Sequence, residues 1–395
     1  MLDIHAQHVE AEQTLSEFPQ STQPTILAVV TQGDKSADAE RLCALLSQLP
    51  YELFPFHRHG KRRAFVELAA KLWRDRPDLV VLEGTGLAGG LAVLLARLAG
   101  RSRYVVSTGD AIGPYVRKFH PVLGLAFSLY ERVLYRCCAG VIGWTPYLVG
   151  RALTFGAPYA MTAAGWAPFE RTEQELREAR QRIRRNLGIR STDIVVGIVG
   201  SLNWNARVGY CYGYELVKAL LVSDRSDVHV LVVGDGDGRP VLESLAGSQL
   251  GRRIHLTGRV NRDAVPDYLA AMDVASLPQS IDQVGSFRYT TKISEYMSVG
   301  LPIVTGHLPL AYDFPTDLFW RLPGDTPWGE TYIAALGEWM SAVSARDVKR
   351  RSAHHATHMV MFDRQSQTEQ VTCFIRDLLG SRDFVRDGIS KETHG

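Results

Sequence analysis

Short apolar runs alternate with helical stretches in two separate series along this chain, and that rhythm restricts the fold more than any other feature. The first series opens with TILAVV (25–30) and a turn through Thr31-Gln32-Gly33-Asp34, followed by the helical stretch AERLCALLSQL (39–49). YELFPF (51–56), a basic helix over 61–76, DLVVLEG (78–84), a helix over 85–99 that opens with small residues, and RYVVSTGD (103–110) continue it. The second series starts near residue 193 with IVVGIVGSL (194–202), GYELVKALLV (213–222) and VHVLVVGDGDG (228–238). RRIHLTGRV (252–260), AVPDYLAAMDVASLP (264–278), TKISEYMSVG (291–300) and LPIVTG (301–306) carry it on, and a helix over 365–380 closes it. Strands that are apolar throughout, rather than at every second residue, belong in a parallel sheet covered on both faces. The fold class expected is therefore α/β, with two Rossmann-like, doubly wound parallel-sheet domains and a cleft between them.

A length of 395 residues suits two such domains. The boundaries expected are a flexible polar arm over 1–22, a first domain over 23–165, and a second over 166–362. A C-terminal helix with a loose tail over 363–395 should pack back near the domain junction. A net charge of +2 gives no global attraction for nucleic acid, and no nucleic-acid partner is expected. The five cysteines are scattered without metal-type spacing and read as small buried hydrophobes in a reducing compartment. The first residues, MLDIHAQHVEAEQ, lack a signal-peptide pattern, and no apolar window is long enough to span a bilayer. The expected location is cytoplasmic.

Four stretches of the second series carry a family resemblance: VVGIVGSLNW, VLVVGDGDGRPVLE, the pair HLTGRV and YLAAMDVASLP, and KISEYMSVGLPIV. With these motifs the chain resembles glycosyltransferase family 4, whose retaining, nucleotide-sugar-dependent members have the two-domain GT-B fold. The first half matches more loosely, through EGTGLAGG, STGD and CAGVIGWTP. The resemblance implies that the first domain binds the acceptor and the second the nucleotide-sugar donor.

Glu295 is the residue singled out most strongly. On an amphipathic helix with Ile293, Met297 and Val299, a carboxylate near the helix start gains from the dipole and can accept two hydrogen bonds from a ribose diol. The Glu-x7-Glu pattern of many family members is broken here, because Phe287 stands where the first glutamate belongs. Arg288, Thr291 and Lys292 offer cations and a hydroxyl instead, Gly285 permits close backbone approach, and Lys292 with Glu295 fits a Lys-x-x-Glu variant of the pattern. Arg207 follows the glycine turn at the offset where the family carries a phosphate-binding cation, and a guanidinium fork suits a diphosphate. Backbone N–H groups at Ser201 and Leu202 add donors. Trp204 is either a lid over the sugar or a packing residue. Gly234, in the GDGDG loop, and Arg259 and Val260 should border the nucleotide. The Asp-x-Asp of that loop reads as a turn rather than a metal site.

In the first domain, Gly33 suits close approach by a ligand, and Asp110 at a strand end either faces the cleft or caps the next helix. The basic segment 97–151, with its apolar interleaving, offers contact with an anionic leaflet. The expectation is thus a glycosyltransferase with Asp110, Arg207 and Lys292 as the reacting-centre residues. No cofactor or metal is expected; a UDP-sugar is the first choice of donor and a GDP-sugar the second, with a glycan or lipid-linked acceptor. Polysaccharide or glycan assembly is the process the resemblance suggests. A GT-B-fold epimerase or phosphorylase, or a non-catalytic sugar-nucleotide binder, is the alternative.

Overall fold

A computed structural model describes residues 24–57, 60–286, 291–314, 317–353 and 359–391. The first series folds as β1 (Ile26–Val30), α1 (Ala37–Leu45), β2 (Tyr51–Leu53), α2 (Lys61–Asp75), β3 (Leu79–Glu83), α3 (Leu87–Leu98) and β4 (Arg103–Thr108). Two helices follow, α4 (Ile112–Arg117) and α5 (Pro121–Cys137), then β5 (Gly140–Gly143), α6 (Pro146–Thr154) and β6 (Ala160–Thr162). The second series runs α7 (Glu173–Asn186), β7 (Ile194–Val199), α8 (Tyr214–Leu221), β8 (Val228–Val233), α9 (Arg239–Ala246), β9 (Ile254–Leu256), α10 (Val265–Ala271) and β10 (Val274–Leu277). It ends with α11 (Thr291–Ser298), β11 (Ile303–Gly306), β12 (Phe319–Leu322), α12 (Glu330–Ala342), α13 (Ala345–Ser352) and α14 (Arg364–Lys391).

Among the described residues the strands form two six-stranded parallel sheets, ordered β2-β1-β3-β4-β5-β6 and β12-β11-β10-β7-β8-β9. Burial explains the apolar runs: every residue of β1, β3 and β8 is shielded from solvent, because helices cover both faces of each sheet. In each sheet the chain leaves one central strand, builds outward, then returns to that strand's other side. The reversal falls between β1 and β3 in the first sheet and between β7 and β10 in the second. A crevice opens at the carboxyl ends of the strands where the order reverses.

Two crossings join the halves, and they are tied together. The Gln367 side chain at the start of α14 accepts from the Gly165 N–H and donates to the Gly165 carbonyl, each at 2.7 Å. Beyond that point α14 buries Val371, Ile375 and Leu378 in the core beneath α1, so the last helix of the chain packs on the first sheet. The second domain is entered through a reciprocal capping box, in which Thr172 and Glu175 satisfy each other's main-chain donors at the start of α7. Arg180 and Arg184 of α7 both pair with Asp273, whose carboxylate also accepts the Val195 N–H, fixing α7 to the base of β7 and β10.

Candidate donor-binding cleft

The second sheet's carboxyl edge is built from turns with little side-chain bulk. Gly200 follows β7 and Gly234 follows β8, and the two approach so closely that a Cβ on Gly234 would lie 1.8 Å from the Gly200 carbonyl oxygen. Gly234 also has φ 146°, which disfavours any L side chain. Beside these turns lies a cleft of ≈ 640 Å³, lined by Val199, Gly200, Ser201, Val233, Gly234, Asp235, Gly236, Arg259, Val260 and Val265. Glycine main chain and the apolar Val199, Val233, Val260 and Val265 supply much of its lining.

Lys292 reaches this edge from α11. Its Cε would be 3.2 Å from a Cβ on Gly200, and its Nζ stands 4.2 Å above the Tyr212 ring. The aromatic face supports the ammonium without neutralising it. Glu295 lies one turn further along the same helix, half-buried. Burial pushes its carboxyl above the ordinary range, while the charges of Lys292 and Arg262 pull it back. The helix itself is held at the sheet edge by Tyr296, a fully buried residue whose hydroxyl donates to the Ser276 carbonyl at 3.1 Å. Arg262 and Tyr212 were not singled out from the sequence. Neither lies in a recognisable motif, and only the folded edge brings them to Glu295 and Lys292.

Several expected residues stand differently. Glu295 is the fifth residue of α11 rather than part of its first turn, so the helix dipole contributes less there. The Leu202 N–H is already donated to the Asp235 carbonyl at 3.0 Å, and the Leu202 side chain is buried, so it is not a free ligand donor. Ser201, in contrast, is exposed at the cleft wall. Trp204 packs edge-on to Tyr214 against the core, which favours packing over a lid, and its main-chain N–H is donated to Asp237. Asp235 and Asp237 both accept main-chain N–H groups within this double loop, at 2.9 and 2.6 Å. Gly285 is needed by its own loop, since a Cβ there would lie 2.0 Å from the Ser280 carbonyl. Arg259 and Val260 line the cleft, the former exposed. Thr291 opens α11; Phe287 and Arg288 lie outside the described residues.

Arg207 departs most from expectation. A bridge between Asn205 and Tyr210 curls the loop after β7, and the exposed Arg207 turns towards the first domain. Its Nη1 donates to the Lys118 carbonyl at 3.1 Å and its guanidinium sits 5.5 Å from the Phe119 ring centre. Lys118 in turn pairs with Asp282 of the second domain at 2.7 Å. Burial works against ionisation of Asp282. Lys118, the Val284 and Gly285 N–H groups and the Ser280 hydroxyl outweigh it and hold its carboxyl below the ordinary range. Arg207 and Lys118 thus stitch the two domains together, while Lys292 and Glu295 stay on α11 at the edge beside Gly200.

The first domain's facing edge is more filled. Glu83 at the end of β3 is fully buried; desolvation raises its carboxyl, and Arg41 opposes this from 3.2 Å. Arg41 also stacks 4.4 Å from the Trp144 ring centre, and Trp144 packs into the second domain's core cluster. Gly33, at φ 108°, makes the tight turn after β1. Asp110 is exposed in the turn between β4 and α4, its N–H donated to Thr108 Oγ1 at 3.3 Å, and the residue at the helix cap is Ala111.

Residues 193–313 match the family model described as "Glycosyl transferases group 1". A search of curated proteins by sequence gives no match. Solved structures of similar architecture include Anabaena Alr3699/HepE in complex with UDP and glucose, with TM-score 0.64 and 16% identity over 90% of this chain and 100% of that one. Sucrose-phosphate synthase from Thermosynechococcus elongatus is similar with TM-score 0.61 and 14% identity, over 91% of this chain and 100% of that one. The trehalose 6-phosphate synthase from Burkholderia multivorans matches with TM-score 0.61 and 12% identity, over 95% of this chain and 99% of that one. The matched segment contains the cleft residues together with Lys292 and Glu295, and the two-sheet architecture is that of the GT-B fold.

Proposed function

We propose that the protein transfers a sugar from a nucleoside diphosphate sugar to an acceptor hydroxyl, with the donor lying along the carboxyl edge of the second sheet. The observation that carries this reading is the convergence of Lys292 on the bare-backbone turn at Gly200 and Ser201. A diphosphate needs positive charge and main-chain donors at close range, and glycine turns let it approach. The family match over this segment supports the same class of donor, and a UDP-sugar is the first to test because Alr3699/HepE structures are described with UDP and UDP-glucose. A GDP-sugar is second.

In this reading Lys292 and the Ser201 amide neutralise the leaving diphosphate as the anomeric C–O bond lengthens. The acceptor oxygen forms the new bond, and its proton passes to the departing phosphate, with retention of configuration and without a metal. Glu295, beside Lys292 and Arg262, accepts the ribose hydroxyls. The acceptor, a glycan or lipid-linked hydroxyl, enters from the first domain's edge near Gly33 and Asp110. Arg207 serves in the domain contact, and reaches the donor only if that contact opens. Lys292→Ala should lower kcat/KM by on the order of 10²-fold, with Glu295→Ala acting chiefly on KM for the donor. Steady-state kinetics with radiolabelled UDP-sugars measures both. Near wild-type constants for both variants would refute the site.

A further inference from the structure

The outer layer of the first domain has an unusual surface. A helix that covers a sheet in water normally turns polar residues outward. Helix α3, LAGGLAVLLARL, holds a single charged residue, Arg97, and is apolar all round. Its inner side buries Ala92, Val93 and Ala96 on the sheet, while Leu91, Leu95 and Leu98 face outward, Leu98 being 68% exposed. Helix α5 lies beside it, with Tyr130 fitted against Gly90 of α3, where a Cβ would lie 1.8 Å from the Tyr130 oxygen. On α5 the outward stripe is Val122, Leu125 and Leu129, exposed by 80%, 61% and 63%. Scattered exposed leucines mean nothing, but two parallel stripes on neighbouring helices make a continuous apolar surface.

Charge identifies what covers it. Between residues 85 and 139 there are seven Lys and Arg and two acids, Asp110 and Glu131. Glu131 is fully buried against Arg151, so it offers no negative charge outside. Arg97, Arg117, Arg132 and Arg136 are exposed on these helices and their connections. A second copy docked by a two-fold axis would bring these cations face to face, at a repulsive cost. An anionic leaflet satisfies both features together, since leucines enter the acyl boundary while arginines remain among the headgroups. Among the described residues no helix is long and apolar enough to cross a membrane.

We infer that the outer face of α3 and α5 docks the protein on an anionic lipid bilayer. This extends the basic segment expected from the sequence to α3, whose stripe supplies half of the apolar contact. The inference stands apart from the donor site, because the test needs no turnover. The full chain should float with vesicles of phosphatidylcholine and phosphatidylglycerol, stay behind with phosphatidylcholine alone, and release as salt is raised. Leu125→Gln with Leu129→Gln should cut the bound fraction about tenfold or more, with the thermal midpoint and nucleotide affinity unchanged. Flotation equal to wild type in the double variant would overturn the inference. So would failure of the full chain to float, including the case in which a dimer, dispersed by the same substitutions, buries the face.

Discussion

Both sheets are six-stranded, parallel and doubly wound, yet their facing edges are finished in opposite ways. In the second domain the turns after β7 and β8 are glycine-rich and leave main chain exposed to a cleft, with Lys292 beside Gly200. In the first, the ends of β3 and β4 are closed by Glu83, Arg41 and Trp144, which pair and stack with one another. A Cβ on Gly109 would lie 2.4 Å from the Trp144 ring, so even the glycine there is spent on packing. The scaffold supplies a crevice twice, and side-chain volume at its rim decides which copy can receive a flat, charged ligand. Their outer helices differ as well, with α7 densely charged and α3 nearly devoid of charge.

The strongest way to break this comparison is to fill the open edge. Gly234→Val places side-chain atoms against the Gly200 carbonyl and strains a φ of 146°. Nucleotide affinity, measured by calorimetry, should fall at least 10²-fold, whereas the same change at the exposed Gly150 of α6, where nothing lies within 4 Å of a Cβ, should leave it intact. Equal affinity in both variants would mean that the edge is not where the nucleotide lies.

A smaller effect concerns the support beneath that edge. Glu215 of α8 is fully buried, and desolvation pushes its carboxyl up to about 7 despite hydrogen bonds from Tyr210 and Ser276. Because the folded-state value lies above the unfolded one, the folded chain holds this proton more tightly. Its contribution is therefore greatest below about pH 4.5 and declines as pH rises to about 7. Glu215→Gln should flatten that decline, by on the order of 3 kcal/mol at most. Denaturant unfolding at several pH values checks it, and identical pH slopes in the two proteins would contradict the assignment.

The smallest effect should come from the lips of the cleft. Lys118 and Asp282 are each more than a third exposed, so Lys118→Ala should cost no more than about 1 kcal/mol of stability. It sharpens the comparison if donor KM shifts a few-fold while nucleotide affinity holds, since only the closed cleft uses both domains.

Much of the architecture was legible because parallel strands must be apolar on both faces; β1, β3, β7 and β8 stand out for that reason. The short strands β5, β6 and β12 were not, as GVIG, AMT and FWRL carry three or four residues and no distinct pattern. The elbow between α4 and α5 also escaped, since Gly124 closing on Arg117 is a tertiary contact rather than a local signal. At the site, motif spacing singled out Gly234, Lys292 and Glu295, and the fold sets Gly234 and Lys292 on either side of Gly200. Arg207 was readable as a cation but not in its direction, because the bridge from Asn205 to Tyr210 decides where its loop points. Leu202 looked like a free donor until the neighbouring loop took its N–H.

Hydrogen–deuterium exchange of the full chain with and without a UDP-sugar tests the central claim most directly. The account predicts slowed exchange at 199–203, 233–238 and 291–298, on the edge that carries Lys292 and Glu295. Protection confined to the first domain's edge, with those three segments unchanged at saturating ligand, would contradict it.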